Sequence, residues 1–227
     1  MKYYTYKMNM LFLNVFSVVL MVFMVLFTYF ITGNLDFIED IKLISIVCVI
    51  LWVFLHEILH SIGFMSLGKV KWKNVVYGAE LEKGIFYCMC KQEISKVNII
   101  VSLLFPLILI GIVTYIIGLS INNDLLVLLS IFNISGAVGD IAMFIDIVRM
   151  PNDIKYLDLD DTTSFTILSK KNLSKNKYIS ILDKSGIYSD RIKAKEYTKL
   201  KVSKYSKYFL IIFIVISLIA LLSLLGS

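Results

Sequence analysis

The chain has 227 residues, 58 % of them hydrophobic and 18 % charged, with two prolines and three cysteines. This excludes a disordered protein and a disulfide-stapled one, and it excludes an ordinary soluble domain because the apolar residues are gathered into long blocks instead of core-facing intervals. The net charge of +6 gives no reason to expect nucleic acid, since membrane topology and attraction to anionic headgroups account for it.

A helix needs about 20 mostly apolar residues to cross a hydrocarbon core about 30 Å thick. Five windows without Lys or Arg are about that long: Leu11–Thr32, Leu43–Leu67, Val97–Leu119, Leu125–Val148 and Tyr208–Leu225. The first follows Lys2 and Lys7 but is far longer than a signal-peptide core and has no small-residue cleavage site after Thr32, so it reads as a retained helix. The expected fold class is an all-α polytopic membrane protein of about five transmembrane helices, with a short cytoplasmic β-hairpin and a small cytoplasmic loop region. Its parts are 1–42 (first helix and outer loop), 43–150 (membrane core of three helices plus the hairpin 69–91), 151–207 (loop region) and 208–227 (last helix).

Basic loops are held on the cytoplasmic side. The N-terminus carries 2 Lys, the loop Gly68–Lys96 carries 6 and the loop Arg149–Lys207 carries 14 Lys and Arg, whereas the opposite side carries Lys42 alone. The expected arrangement is multi-pass in the plasma membrane, with the N-terminus cytoplasmic and Ser227 outside. The hairpin is read from two runs rich in β-branched and aromatic residues, Val70–Tyr77 and Ile85–Cys90, set apart by Gly78 and Gly84. Its edge offers a place for an extended peptide to add as a strand. In the larger loop, Pro151 and Asn152 end the fourth helix and Thr162–Leu168 reads as a strand.

Ionisable groups inside a bilayer are costly and mark functional positions. The second window holds His56, Glu57 and His60, and the fourth holds Asp140 and Asp146. The chain's two histidines both fall in His56-Glu57-Ile58-Leu59-His60, an H-E-x-x-H sequence. Residues i and i+4 stack on one helix face, so both imidazoles can reach one Zn²⁺, and Glu57 beside the first can act as general base.

A catalytic zinc needs a third protein ligand, and Ser66 stands where the metzincin pattern has its third histidine. The candidates are therefore acidic residues or cysteines. His60 lies eight residues before Gly68 and Asp140 nine before Arg149, which at 1.5 Å per residue puts both roughly 12 to 14 Å below the same surface. Depth thus favours Asp140. Asp146 points to another face, where it reads as a solvated carboxylate near the boundary; Glu80 and Glu82 lie in the polar loop; Cys88 and Cys90 read as reduced thiols or as a metal relay. Gly136 and Gly139 are small residues that permit close helix approach. Asn133, seven residues before Asp140 and on nearly the same face, is a candidate substrate or oxyanion contact, or else a polar contact between helices.

Over roughly Val53–Pro151 the chain resembles the bacterial putative zincin peptidase family of integral membrane proteins, similar in layout to site-2 intramembrane metalloproteases. The likeness rests on Leu55–His60, on Phe86-Tyr87-Cys88-Met89-Cys90 followed by a span containing Pro106, and on Asn133–Asp140. It implies His56 and His60 as zinc ligands, Glu57 as catalytic acid/base and Asp140 as the remote third ligand. Site-2 proteases carry Asn-Pro-Asp-Gly or Leu-Asp-Gly at that ligand, whereas here Gly139 precedes Asp140 and Ile141 follows. The expectation is a zinc metalloendopeptidase acting on membrane-protein or peptide substrates beside the bilayer. A non-catalytic metal-binding scaffold and a divalent-cation transporter are the rival readings; the intact Glu57 argues against the first, and the lack of repeated halves against the second.

Overall fold

The computed structural model describes residues 1–34, 43–80, 85–159, 164–173 and 183–188. The chain opens with strand β1 (Lys2–Lys7) and enters helix α1 (Met10–Thr32). Asn9 caps α1, its side-chain oxygen accepting from Phe12 N–H at 3.1 Å, and Gly33 ends it at φ 75°, returning its N–H to Tyr29 O; only glycine takes that left-handed position without strain. Most side chains of α1 are apolar and exposed, as a lipid-facing helix requires.

Helix α2 (Leu43–Ser66) is followed by β2 (Val75–Glu80) and β3 (Ile85–Cys90), the antiparallel hairpin, with Tyr77 opposite Cys88. After β4 (Ile94–Ser95) the third apolar stretch runs from Lys96 to Ser120 as three pieces: α3 (Lys96–Pro106), a π-helical segment Leu107–Val113, and α4 (Thr114–Ser120). The fourth is broken into α5 (Asp124–Gly136) and α6 (Val138–Arg149), bent by 47° at Ala137. Among the described residues, three helices are therefore long and apolar enough to cross a membrane, or four if the bent pair is one span. The fifth window, Tyr208–Leu225, lies outside the described residues.

The all-α expectation holds for these helices and understates the rest. Strands β5 (Lys155–Leu157), β6 (Ser164–Ser169) and β7 (Asp183–Tyr188) join β4 and β1 in a five-stranded antiparallel sheet, ordered β4-β5-β6-β1-β7. The N-terminal strand thus sits inside a sheet built mostly from the 151–207 region, with Tyr4 opposite Ile167 and Tyr6 opposite Phe165. Tyr4, Tyr6 and Phe165 are fully buried, and Phe165 packs against the Tyr6 and Tyr156 rings at 5.5 and 5.8 Å. Each such ring contributes about 2 to 3 kcal/mol through burial. This sheet places the N-terminus, the approach to α3 and the exit from α6 on one side of the helices.

The helices lock together where glycine meets backbone. A Cβ on Gly63 would fall 2.8 Å from Ser102 Cα, so α2 and α3 touch there. Lys96, at the start of α3, reaches the end of α6 and donates to Val148 O at 2.8 Å and Met150 O at 2.6 Å, satisfying carbonyls that a helix C-terminus leaves open.

Candidate metal centre

Within α2, His56 and His60 are one turn apart and their rings meet edge to face, 4.7 Å between centroids. Each Nδ1 faces an oxygen. His60 Nδ1 lies 2.8 Å from the backbone carbonyl of Ser102, which can only accept, so this nitrogen carries the hydrogen. His56 Nδ1 lies 2.8 Å from Asn133 Oδ1. The amide orientation follows from its other end, where Nδ2 donates to Pro106 O at 3.2 Å, so the oxygen faces His56 and Nδ1 is again the donor. In the neutral imidazoles both Nε2 atoms are then bare lone pairs.

These lone pairs converge. His56 Nε2 and His60 Nε2 are 3.0 Å apart, and Asp140 Oδ2 lies 3.0 Å from the first and 3.3 Å from the second. Three electron-rich atoms facing one another repel unless a cation lies among them. Zinc ligands at about 2.0 to 2.1 Å in tetrahedral array stand about 3.3 Å from each other, close to the spacings found. His56, His60 and Asp140 are the group that could hold a metal ion among the described residues. The donor set, two imidazoles and one carboxylate with the imidazole hydrogens taken up by outer acceptors, suits zinc.

The bend at Ala137 makes this possible. Asn133 lies in the last turn of α5 and Asp140 in the first turn of α6, and the one imidazole of His56 bridges them, Nδ1 toward Asn133 and Nε2 toward Asp140. The sequence offers Asn133 as a substrate contact; the structure commits both ends of its amide to His56 and Pro106. Gly136 and Gly139 do not serve close helix approach as expected. A Cβ at either would meet nothing within 4 Å, and both instead line a cavity of about 440 Å³ that opens onto His56, Glu57, His60 and Asp140. Its lining also includes Leu13, Asn14 and Ser17 of α1.

Glu57 lines the same cavity, and its carboxylate accepts from the Cys88 backbone N–H on β3. The remaining candidates fall elsewhere. Asp146 is fully buried, not solvated, and pairs with Arg149 at 3.8 Å. Glu80 ends β2 and does not join the ligand group, and Glu82 lies outside the described residues. Burial pushes the Cys88 thiol far above its usual range and Cys90 up to about 12, and neither joins the ligand group.

Two features escaped the sequence. Asp158 closes the Cys90 end of β3: its Oδ2 accepts from Cys90 N–H at 2.8 Å, its N–H donates to Cys90 O at 3.0 Å, and Tyr156 OH donates to its Oδ1 at 2.5 Å. The β3 edge offered for strand addition is thus engaged at Cys88 and Cys90. Burial raises the Asp158 carboxyl to about 6. The second is the role of two backbone carbonyls, Ser102 O as the outer partner of His60 and Pro106 O as the anchor of the Asn133 amide; the proline in an apolar span was the visible sign.

The family described as "Putative zincin peptidase" matches residues 49–155, a stretch that contains His56, Glu57, His60 and Asp140. No curated protein and no solved structure matches the chain.

Proposed function

We propose that this chain is a zinc-dependent, membrane-embedded metalloendopeptidase that hydrolyses peptide bonds of membrane proteins near the cytoplasmic side of the plasma membrane. The observation that carries the reading is the meeting of His56 Nε2, His60 Nε2 and Asp140 Oδ2 beside the Glu57 carboxylate in one cavity. His56, His60 and Asp140 would hold the zinc. When bound, zinc supplies Lewis-acid polarisation of the scissile carbonyl and makes water acidic enough to attack near neutral pH.

The protein's own groups do the rest. Glu57 takes a proton from the attacking water on a carboxylate oxygen and returns it to the leaving amine. The Cys88 N–H lies beside that carboxylate and helps to orient it. Asn133 and the Ser102 carbonyl keep the imidazole lone pairs pointed inward, as outer partners of metal-bound histidines do. The apolar side chains that line the cavity, among them Leu13, Val53, Phe86 and Phe132, suit a hydrophobic segment of a membrane substrate.

Glu57→Gln tests the assignment. The variant is expected to keep its zinc and to cleave a transmembrane reporter about 10²- to 10⁴-fold more slowly. Cleavage at the wild-type rate would refute the role of Glu57, and wild type that leaves the reporter uncut would refute the peptidase reading.

A further inference from the structure

The two imidazoles are oriented from one irregular stretch of the third span, and the irregularity begins at a proline. In an α-helix the carbonyl of Ser102 would accept from the N–H of residue 106. Residue 106 is Pro106, which has no N–H. The next donor, Leu107 N–H, goes to Leu104 O. The Ser102 carbonyl is therefore left without these two helix donors, and it accepts from His60 Nδ1 at 2.8 Å. It does so deep in the protein, where Gly63 lets α2 approach to contact distance, and where an unmatched carbonyl would be costly.

The same proline opens the π-helical segment Leu107–Val113, a distortion common at functional sites. At its entry Pro106 O accepts from Asn133 Nδ2, and Asn133 Oδ1 accepts from His56 Nδ1. Gly111 faces the same amide, since a Cβ there would lie 3.0 Å from Asn133 Nδ2. One residue thus stands behind both outer hydrogen bonds, directly for His60 and through Asn133 for His56.

We infer that Pro106 is the positioning residue of the metal centre: its missing N–H reserves the Ser102 carbonyl for His60, and its own carbonyl anchors the Asn133 amide that holds His56. Pro106 touches neither metal nor substrate. The inference rests on the zinc reading above and deepens it.

The test compares purified full-length wild type, Pro106→Ala, and a protein with lactic acid at position 106, a backbone ester that has no ring and no N–H. Zinc affinity is measured by chelator competition, and exchange of the His60 Nδ1–H is followed by NMR on zinc-loaded, ¹⁵N-histidine-labelled protein, in which there are two imidazoles to resolve. Pro106→Ala restores a donor that competes for Ser102 O. It is expected to bind zinc about 10- to 100-fold more weakly, the usual effect of losing an outer partner, and to exchange the Nδ1–H faster. The ester is expected to match wild type on both counts. Zinc-binding wild type equalled by Pro106→Ala would overturn this inference alone, as would an ester as weak as the alanine variant, which would make the ring and not the missing donor responsible. If Pro106→Ala does not fold, the ester decides by itself. Wild type that binds no zinc would overturn the zinc reading and this inference together.

Discussion

Adding one methyl group at Gly63 would reach the metal centre without touching it. A Cβ there would stand 2.7 Å from Ser102 Oγ and 2.8 Å from Ser102 Cα. The hydroxyl can rotate, but the Cα is backbone, so α3 must recede until the contact reaches about 3.4 Å or more, a shift of at least about 0.6 Å. Gly63 lies three residues after His60 on the same face of α2. A retreat of that size stretches the 2.8 Å bond from His60 Nδ1 to Ser102 O to about 3.4 Å, beyond the ordinary range. Gly63→Ala should therefore cost about 1 to 3 kcal/mol through overpacking and weaken zinc binding about tenfold or more through the lost outer partner. Chelator competition and thermal unfolding in detergent measure the two effects. Unchanged zinc affinity together with unchanged Tm would refute the contact and the reasoning built on it.

Lys96→Met leaves Val148 O and Met150 O without their donor and should destabilise the fold by about 1 to 3 kcal/mol, read as a lower Tm. Asp158 has a raised carboxyl pKa, 3.8 to about 6, with burial the first cause and Tyr156, the Cys90 N–H and Lys91 opposing it. The folded state thus holds the proton more tightly than the unfolded chain, so the contribution of this group to stability is full below about pH 4 and lost as pH rises through about 6, on the order of 3 kcal/mol at most. Unfolding titrations of wild type and Asp158→Asn should differ in slope across that window; parallel curves would contradict the assignment. Chelation of the metal should lower Tm in wild type by mass action, because folded protein binds zinc and unfolded protein binds it less, and an unaltered Tm would count against a bound metal.

The helices were legible because their signal is local. Apolar runs of membrane length marked the first four windows, and the start of the third at Val97 differs from the observed Lys96 by one residue. H-E-x-x-H was legible for the same reason, two imidazoles on one helix turn. Asp140 was reachable through depth, which survives the bend at Ala137 because both helices emerge on the same side. The strand Lys2–Lys7 was not. Its run Tyr3-Tyr4-Thr5-Tyr6 has β propensity, but its partner Ser164–Ser169 lies more than 150 residues away, and nothing in a sequence marks so distant a pairing. Gly136 and Gly139 misled because a small residue serves a tight crossing and a cavity wall equally; Gly63, at the real crossing, looks no different in sequence. Asp146 misled similarly, since proximity to a helix end suggests water while tertiary packing buries it.

The most direct measurement is the zinc content of detergent-purified protein, wild type beside Asp140→Ala, by elemental mass spectrometry. The account predicts about one zinc per wild-type chain, from a site with three protein ligands and one open position, and a sharp fall in the variant, which loses the carboxylate 3.0 Å from His56 Nε2. Carefully prepared wild type without zinc, or an Asp140→Ala protein that keeps its full complement, would contradict the three-ligand centre on which the proposed chemistry stands.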